Sequence, residues 1–414
     1  MAVRDGGCAF SSLEALRPAA YLGSFADCLP SMLVVPGSPS AVLQDNLTAD
    51  PIVWDVLPVS KALAEVWQSW QCIVKLPTFS NMKVNRINHH IFKLLTADHT
   101  TAPNPANLAA CAGKQLQRAA AYVILEHQRD CLRKDYSLPL HTRARIAQAA
   151  AKGAGRFLTV LPGSVLGRFP REQLLLQDHA WRDNVELRLG CSLSRRIHQG
   201  TVCGCGTTPA MFHSHQQFFD HVLGCARGTH GSLLDAHELL DPVFRPFFEE
   251  LGYKWDVSAP SLLFSEALHN VALDQTPGKK KLDAVAHCLH DSRKTLDIDF
   301  ARVHAASESY CTSEKAASVS DSPTFATRIG EDRKAQKYAQ LCASRGHILL
   351  PVVLNTYGGF GEKIMQVVDK HFDAKRAEEF EKTGQEWTSL GERDLLFQRA
   401  GVAVARGNSL VLDS

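Results

Sequence analysis

The sequence lacks the features that would assign it to a specialised class of protein. No run of 18 uncharged apolar residues occurs in its 414 residues, and the first 16 residues carry charges where a secretory signal needs an apolar stretch. Neither sign of charge dominates, since 45 Lys and Arg stand against 43 Asp and Glu, for a net charge of +2. We therefore predict an intracellular protein, with the nucleus as one option, that does not bind membranes. Any contact with nucleic acid should be confined to local patches.

The rest of the composition is that of an ordinary globular protein. Hydrophobic residues make up 45% and charged residues 21%, which excludes wholesale disorder, collagen and coiled coil. The length predicts two to four folding units. Twelve Cys in a chain of this length do not form a disulfide scaffold, and three of them lie close together among histidines, which points to a metal site.

Hydrophobic periodicity predicts an α+β, multidomain chain whose N-terminal half is mostly helical. After the cysteines, short apolar or alternating runs predict strands at Leu282–Leu289, Thr295–Val303 and Ile348–Leu354. The predicted divisions are a helical region at 1–170, a helix with a small zinc knuckle at 171–232, a mixed-sheet domain at 233–372 with a flexible, Ser/Thr/Ala-rich insertion at 305–327, and a C-terminal tail at 373–414.

The densest group of metal-ligand side chains lies in the segment CGCGTTPAMFHSHQQFFDHVLGC, which begins at Cys203. Thiolate and imidazole suit Zn²⁺, which takes four such ligands in structural sites. His221 and Cys225 are four residues apart and share one face of a predicted helix. The predicted zinc ligands are Cys203, Cys205, His221 and Cys225. The gap between Cys205 and His221 is long, so His213 or His215 remain alternatives to His221.

A second group consists of acids on a predicted β-hairpin. Period-two alternation places Asp297 and Asp299 on one strand face, with apolar residues on the other, so the acidic face can stay open. A turn centred on residue 290 would place Asp283 opposite Asp297 and diagonal to Asp299. Such carboxylates predict a site for Mg²⁺ or Mn²⁺ that can act on a phosphodiester. The alternative interpretation is a solvated hairpin face.

Basic residues near the acids could contact phosphate. Lys279, Lys280 and Lys281 precede the hairpin, and Lys334 and Lys337 lie on a predicted helix that begins at Glu331. A weaker pattern is YGGFG at Tyr357–Gly361, which fits a tight strand-to-helix turn better than a phosphate-binding loop.

In order and content the chain resembles the C-terminal part of reverse transcriptases of non-LTR retrotransposons that carry a restriction-like endonuclease. The motifs that carry this resemblance are DGGCAFSSLEALRPAAYLGS at 5–24, GAGRFLTVLP at 153–162, WRDNVELRLG at 181–190, CGCG at 203–206, DHVLGC at 220–225, KLD at 281–283, LDID at 296–299, EDRKAQKY at 331–338, LPVVLNTYGGFG at 350–361 and ARGNSLVL at 405–412. They cover nearly the whole chain, although each motif is weak by itself.

The resemblance implies a restriction-endonuclease-like domain, with DNA as partner and the element's RNA as a second candidate. It implies that Asp283 and Asp297 bind the catalytic metal, that Lys334 orients the phosphate, and that the knuckle grips the DNA target. It also implies a fragment without the polymerase core, since no Y-x-D-D or F-x-D-D occurs, so no reverse transcription is expected from this chain alone.

Three positions depart from the family pattern. Leu282 replaces the usual Pro, Asp299 stands where Lys or another polar residue is common, and the family's Arg-His pair is Ala236-His237. These departures leave open a decayed nuclease site. The alternative function is a non-catalytic, zinc-containing protein that binds nucleic acid, and metal-dependent nicking of DNA would distinguish the two.

Overall fold

The computed structural model describes the chain in ranges. These are residues 17–20, 22, 68–76, 116–159, 176–189, 191, 193–197, 201–225, 238–257, 282–291, 294–384 and 387–413. The chain divides into two compact units, one made of residues 1–2 and 9–132 and the other of residues 3–8 and 133–414.

The described part of the first unit is helical. Helical turns cover residues 17–20 and 68–74, and helix α1 (Leu116–Lys134) ends just inside the second unit. Trp70 and Val123 are fully buried, so these helices contribute to a core.

The second unit is α+β, mostly helical, with one four-stranded mixed sheet among its described residues. Its elements are α2 (Leu140–Ala149), α3 (Asp178–Leu189), α4 (His215–Gly224), α5 (Asp241–Glu250), β1 (Tyr253–Asp256), β2 (Ala284–Cys288), β3 (Thr295–Val303), α6 (Ala316–Asp321), α7 (Phe325–Ala343), β4 (Ile348–Asn355), α8 (Glu362–Thr383) and α9 (Trp387–Asp413). No described helix is long and apolar enough to cross a membrane.

The sheet has the order β1-β2-β3-β4. The first three strands pair antiparallel, and β4 lies parallel to β3. A parallel pair needs a long connection, which here contains α6 and α7. The predicted alternation is correct for β3, whose observed bounds are those read from the sequence.

Each face of the sheet is covered by helices. Ile298 and Phe300 of β3 enter the main core with residues of α5, α8 and α9. The opposite face of β3 carries Asp297, Asp299, Ala301 and Val303, and α7 packs on it. The acidic face is therefore covered, contrary to the expectation that it stays open.

Helix α7 approaches the sheet closely at Gly330. A Cβ atom at this position would lie 2.9 Å from Val353 Cγ1 and 3.1 Å from Val303 Cγ1, so there is no room for a larger residue. One turn later Lys334 lies above Asp299. Gly330 thus allows the close approach of α7 to the sheet that brings Lys334 to Asp299.

The segment 305–327 differs from the predicted flexible insertion. It folds into a 3₁₀ turn and α6, and Tyr310, Val319 and Phe325 are buried together. Its apolar residues are few and widely spaced, so no local period shows in the sequence. They nevertheless belong to one buried cluster with residues of β3 and β4.

The C-terminal residues form long helices instead of the predicted tail. Helix α8 continues to Thr383, and α9 buries Phe397, Ala400 and Val404 in the main core. Several buried residues of α9 are Ala or Gly, and a Cβ at Gly401 would lie 2.9 Å from the backbone nitrogen of Phe157. Small residues allow this close packing but give a weak hydrophobic signal in the sequence.

Candidate functional site

The predicted zinc ligands lie together. One ligand atom from each of four residues falls within 4.8 Å of all the others, and the residues are Cys203, Cys205, His221 and Cys225. This is the only group of three or more Cys, His, Asp or Glu side chains able to share one ion among the residues that the structure describes. A Cys₃His cluster of this kind could bind a metal such as zinc.

Local sequence explains how the four ligands meet. The Cys203 N–H donates to Thr207 O at 2.8 Å and the Gly206 N–H donates to Cys203 O at 2.7 Å, which closes a tight turn. Gly206 has φ +91°, a conformation that glycine adopts without strain. His221 lies on α4 and Cys225 caps its end, so the helix presents both side chains to the turn.

The thiols of the cluster differ in their surroundings. Cys205 Sγ lies 2.9 Å from Thr207 Oγ1 and 3.1 Å from His221 Nε2, and these contacts lower the pKa of Cys205 to about 6. Burial raises the pKa of Cys203 to about 12. Of the alternatives, His213 is exposed on the loop before α4 and His215 is the exposed first residue of that helix, and neither is part of the cluster.

A buried polar network anchors α4 to the sheet. Asp220, next to the cluster residue His221, accepts hydrogen bonds from Arg145 at 2.9 Å and from His304 Nε2 at 2.9 Å. His304 follows β3 directly, and its Nδ1 lies 2.7 Å from Thr356 Oγ1. Burial opposes ionisation of Asp220, but the bonds to His304 and Arg145 outweigh it and hold its pKa below the ordinary value. Sequence reasoning missed this network, for which the only signal was a polar residue at the end of a strand.

The hairpin register pairs the acids differently from the sequence prediction. Ala284 lies opposite Ile298, so the next pair along the ladder is Asp283 and Asp299. Asp297 lies opposite Val285 and diagonal to Asp283. The prediction that Asp283 faces Asp297 is therefore wrong, because the turn centres one residue later than assumed. When the centre of the turn moves by one residue, the partner of each strand residue moves by two, so Asp283 stays on the same face of the sheet as Asp297 and Asp299.

Asp283 and Asp299 form a mostly buried carboxylate pair. Asp299 is 3% exposed, whereas Asp283 is half-buried and accepts a hydrogen bond from the Phe300 N–H at 2.6 Å. Burial and the neighbouring Asp299 raise the pKa of Asp283 to about 6. Burial also raises the pKa of Asp299, although Lys334 Nζ lies 2.5 Å from its Oδ2 and acts in the opposite direction. A solvated hairpin face does not describe this pair.

Asp297 contacts a different set of groups. It is 1% exposed, and its Oδ1 lies 3.0 Å from His347 Nδ1. Burial raises the pKa of Cys342, and a hydrogen bond to Asp297 raises it further. The structure thus places Lys334 at the Asp283–Asp299 pair and His347 at Asp297.

The remaining predicted basic residues are only partly described. Lys337 is exposed, with Nζ 4.6 Å from the ring centroid of Tyr338. Lys279, Lys280, Lys281 and His237 lie outside the described residues. Arg195 and Arg196, a further basic cluster, are ion-paired with acids that include Asp183.

The YGGFG segment is a buried turn. Residues 355–361 are all buried, and a Cβ at Gly359 would lie 2.6 Å from the Ala151 Cβ. The Asn355 side chain accepts from the Tyr357 and Gly359 N–H groups at 2.9 and 2.8 Å. The remaining N–H groups of the segment donate to backbone oxygens of Asn355, Lys152 and Val353, so the backbone donors are all used inside the protein, as expected of a tight strand-to-helix connection and not of a phosphate loop.

Comparisons with known proteins do not assign a family. No protein-family model matches the chain, and no curated protein matches it significantly.

Proposed function

We propose that this chain is part of a non-LTR retrotransposon reverse transcriptase and that its sheet carries a metal-dependent DNA endonuclease site. The observation that supports this most directly is the carboxylate pair of Asp283 and Asp299 with Lys334 beside it. Two acids on neighbouring strands and a lysine on the connecting helix are the groups that phosphodiester hydrolysis by a restriction-like nuclease requires.

The pair suits Mg²⁺ or Mn²⁺ better than zinc. Its donors are hard carboxylate oxygens, and Mg²⁺ is commonly held by one or two carboxylates together with waters and a substrate phosphate. Asp283 and Asp299 would hold the ion, which supplies activation of water and neutralisation of charge on the phosphate. Asp283 is only half-buried, so the pair is not wholly sealed from solvent although Asp299 is buried.

Lys334 has the position for a phosphate contact. Its side chain is 23% exposed and its ammonium group lies against Asp299, so a small rotation about its flexible stem would bring the charge to a bound phosphate. Stabilisation of the extra negative charge that develops in the transition state would then affect rate more than affinity.

The Cys₃His cluster has a structural role in this proposal. A zinc ion bound there would fix α4 and the turn at Gly206, and through Asp220 it would connect them to His304 at the end of β3. The knuckle would contact the DNA target while the acids cut it.

The test is nicking of supercoiled plasmid with and without Mg²⁺ or Mn²⁺. We expect activity in the wild type and a loss of at least about a hundredfold in Asp299→Asn and in Asp283→Asn. The matched control is Asp291→Asn, which removes an acid from the turn of the same hairpin and should leave nicking unchanged. Equal nicking by the wild type and Asp299→Asn would show contamination and remove the proposal.

The second candidate is a non-catalytic, zinc-containing protein that binds nucleic acid. It is favoured by the ion pair of Lys334 with Asp299 and by the contact of His347 with Asp297, because both acids have partners without a metal. DNA binding by the wild type without nicking under any metal would select this function.

A further inference from the structure

Arg143, in the first turn of α2, carries a buried charge that nothing in the described part of the chain pairs. The residue is 7% exposed, and no described residue forms a hydrogen bond or an ion pair with its side chain. Arginines this far from solvent are almost always paired. Its Nε is both sealed and unbonded, whereas the two terminal nitrogens, which also have no partner, keep some contact with solvent. An incoming anion can therefore reach these two donors.

The guanidinium group of Arg143 lies against an exposed aromatic ring. Its Cζ is 4.6 Å from the ring centroid of Tyr136, which is a cation–π distance. Tyr136 is 81% exposed, more than any other large hydrophobic side chain that the structure describes, so the ring face away from Arg143 is open. A ring held from below by a buried cation is a platform on which a second flat group can stack.

The loop that carries Tyr136 is ordered by its neighbours. Ser137 donates to Asp135 Oδ1 through its N–H at 2.9 Å and through its hydroxyl at 2.6 Å. These bonds lower the pKa of Asp135, and the charge of Arg143 adds to the effect. Asp135 is the one acid between α1 and α2, and Ser137 engages its carboxylate. The guanidinium group thus remains available to a ligand.

Helix α2 begins beside this ring with unused backbone donors. No side chain caps its start after Pro139, and the N–H groups of Leu140 and His141 donate to no described residue. A helix N-terminus carries a partial positive charge that attracts anions. Side chains of a helix lean toward its N-terminus, which brings the Arg143 guanidinium to the same place.

These groups together favour a phosphate joined to a flat ring. A simple anion would pair with Arg143 but leave Tyr136 exposed, and an apolar group would cover Tyr136 but leave Arg143 unpaired. A nucleotide uses both, with its base on the ring and its phosphate at the cation. Lys134, exposed at the end of α1, adds a charge for a neighbouring phosphate of the same strand.

We propose that Tyr136, Arg143 and the start of α2 bind one nucleotide of a single-stranded DNA or RNA, with its base stacked on Tyr136. A base in a duplex is already stacked on its neighbours, so the ring selects unpaired strands. The proposal rests on the proposed function only in taking nucleic acid as the partner. It does not require the acids of the sheet to be catalytic.

The experiment removes the ring from the full-length protein. Fluorescence anisotropy would measure binding of a labelled 12-nucleotide single-stranded DNA, RNA of the same sequence, the matching duplex DNA, and an abasic DNA strand that keeps the phosphates. The variants are Tyr136→Ala and Tyr136→Phe, which keeps the ring. The matched control is Phe380→Ala, which removes a ring that is 54% exposed on α8.

We expect Tyr136→Ala to weaken single-strand binding about tenfold, the scale of one stacked base. Its binding to the duplex and to the abasic strand should equal that of the wild type, because neither offers a free base. Tyr136→Phe and Phe380→Ala should bind every probe as the wild type does. A loss on DNA, on RNA or on both identifies which strand the site takes.

Arg143→Gln tests the phosphate contact. It should weaken binding of the single strand and of the abasic strand alike, and it should reduce the salt dependence of binding by about one phosphate contact. Circular dichroism checks that this buried substitution leaves the fold intact. If the variant does not fold, the Tyr136 series still decides the proposal, since that side chain is exposed.

Two results would overturn the nucleotide site. One is unchanged single-strand binding in Tyr136→Ala, and the other is an equal loss for the single strand, the duplex and the abasic strand. Absence of nicking with the tenfold difference intact would remove only the endonuclease. Nicking by the wild type without that difference would remove only this site, so the two proposals fail separately.

Discussion

At the scale of single residues, Gly330 decides how closely α7 can approach the acids. Its missing side chain leaves room for Val303 and Val353, and Lys334 reaches Asp299 one turn later. A larger residue would lift the helix and lengthen this ion pair. Backbone packing and site geometry therefore depend on the same position.

Replacement of Gly330 by Ala should lower the free energy of unfolding by about 1–2 kcal/mol. The gain in helix propensity is about 0.5–1 kcal/mol, but overpacking of a tight contact costs about 1–3 kcal/mol. Urea unfolding measures the difference. In the control Gly391→Ala, a Cβ on α9 meets nothing within 4 Å, so that variant should be more stable than the wild type. Stabilisation by both substitutions would show that α7 can shift freely.

Asp283 predicts a pH dependence of stability. Its pKa is about 6 in the folded chain and near the ordinary 3.8 when unfolded, so between these values the folded state binds more protons. Stability should then fall as pH rises from about 4 to about 6. Asp283→Asn removes this loss. The free energy of unfolding of the variant minus that of the wild type should therefore rise by about 1–2 kcal/mol across that window, after allowance for solvent screening.

Unfolding of both proteins at pH 4 and pH 7, without added magnesium, measures this effect. The comparison cancels titrating groups that do not interact with Asp283, including the cluster thiols. A constant difference between wild type and variant at the two pH values would contradict the buried carboxylate pair.

At the scale of elements, β3 and α4 each carry one of the two groups of candidate site residues. Strand β3 presents apolar residues to the main core and acids to α7, while α4 presents His221 to the cluster and Asp220 to the sheet. The sequence indicated the two faces of β3 through period-two alternation. It did not indicate that a helix covers the acids.

The Cys₃His cluster should bind about one zinc ion per chain, measured by elemental analysis of the purified protein. The double substitution Cys203→Ser and Cys225→Ser should abolish this zinc and destabilise α4, since two thiolate ligands are lost. Cys191→Ser is the matched control, because Cys191 is an exposed free cysteine outside the cluster. Unchanged zinc content in the double variant would exclude the site.

At the scale of the whole molecule, residues distant in sequence complete the second unit. Helix α9 packs against α8 and contributes to the core beneath the sheet, and residues 305–327 complete the cover of the opposite face. The segment 305–327 is therefore expected to unfold with the sheet domain.

Trypsin tests this expectation at Lys315. The residue is half-buried, its ammonium group donates to Ser309 O at 2.8 Å, and the segment around it is anchored by buried Tyr310 and Val319. Cleavage after Lys315 should follow the urea dependence of global unfolding. Rapid cleavage at this bond in native buffer would instead restore the flexible insertion that the sequence predicted.

The sequence by itself determined what depends on near neighbours in the chain. The grouping of the four Cys and His side chains that could hold a metal follows from a glycine turn and from two residues four apart at a helix end, and the bounds of β3 follow from alternation. The tertiary structure alone decided that Asp283 faces Asp299, that α7 buries both Asp297 and Asp299, and that His304 meets Asp220. Alternation fixes the face of a strand but not its register, which depends on the turn and on packing. Burial of the acids likewise depends on contacts between residues far apart in the chain, and these leave no local pattern in the sequence.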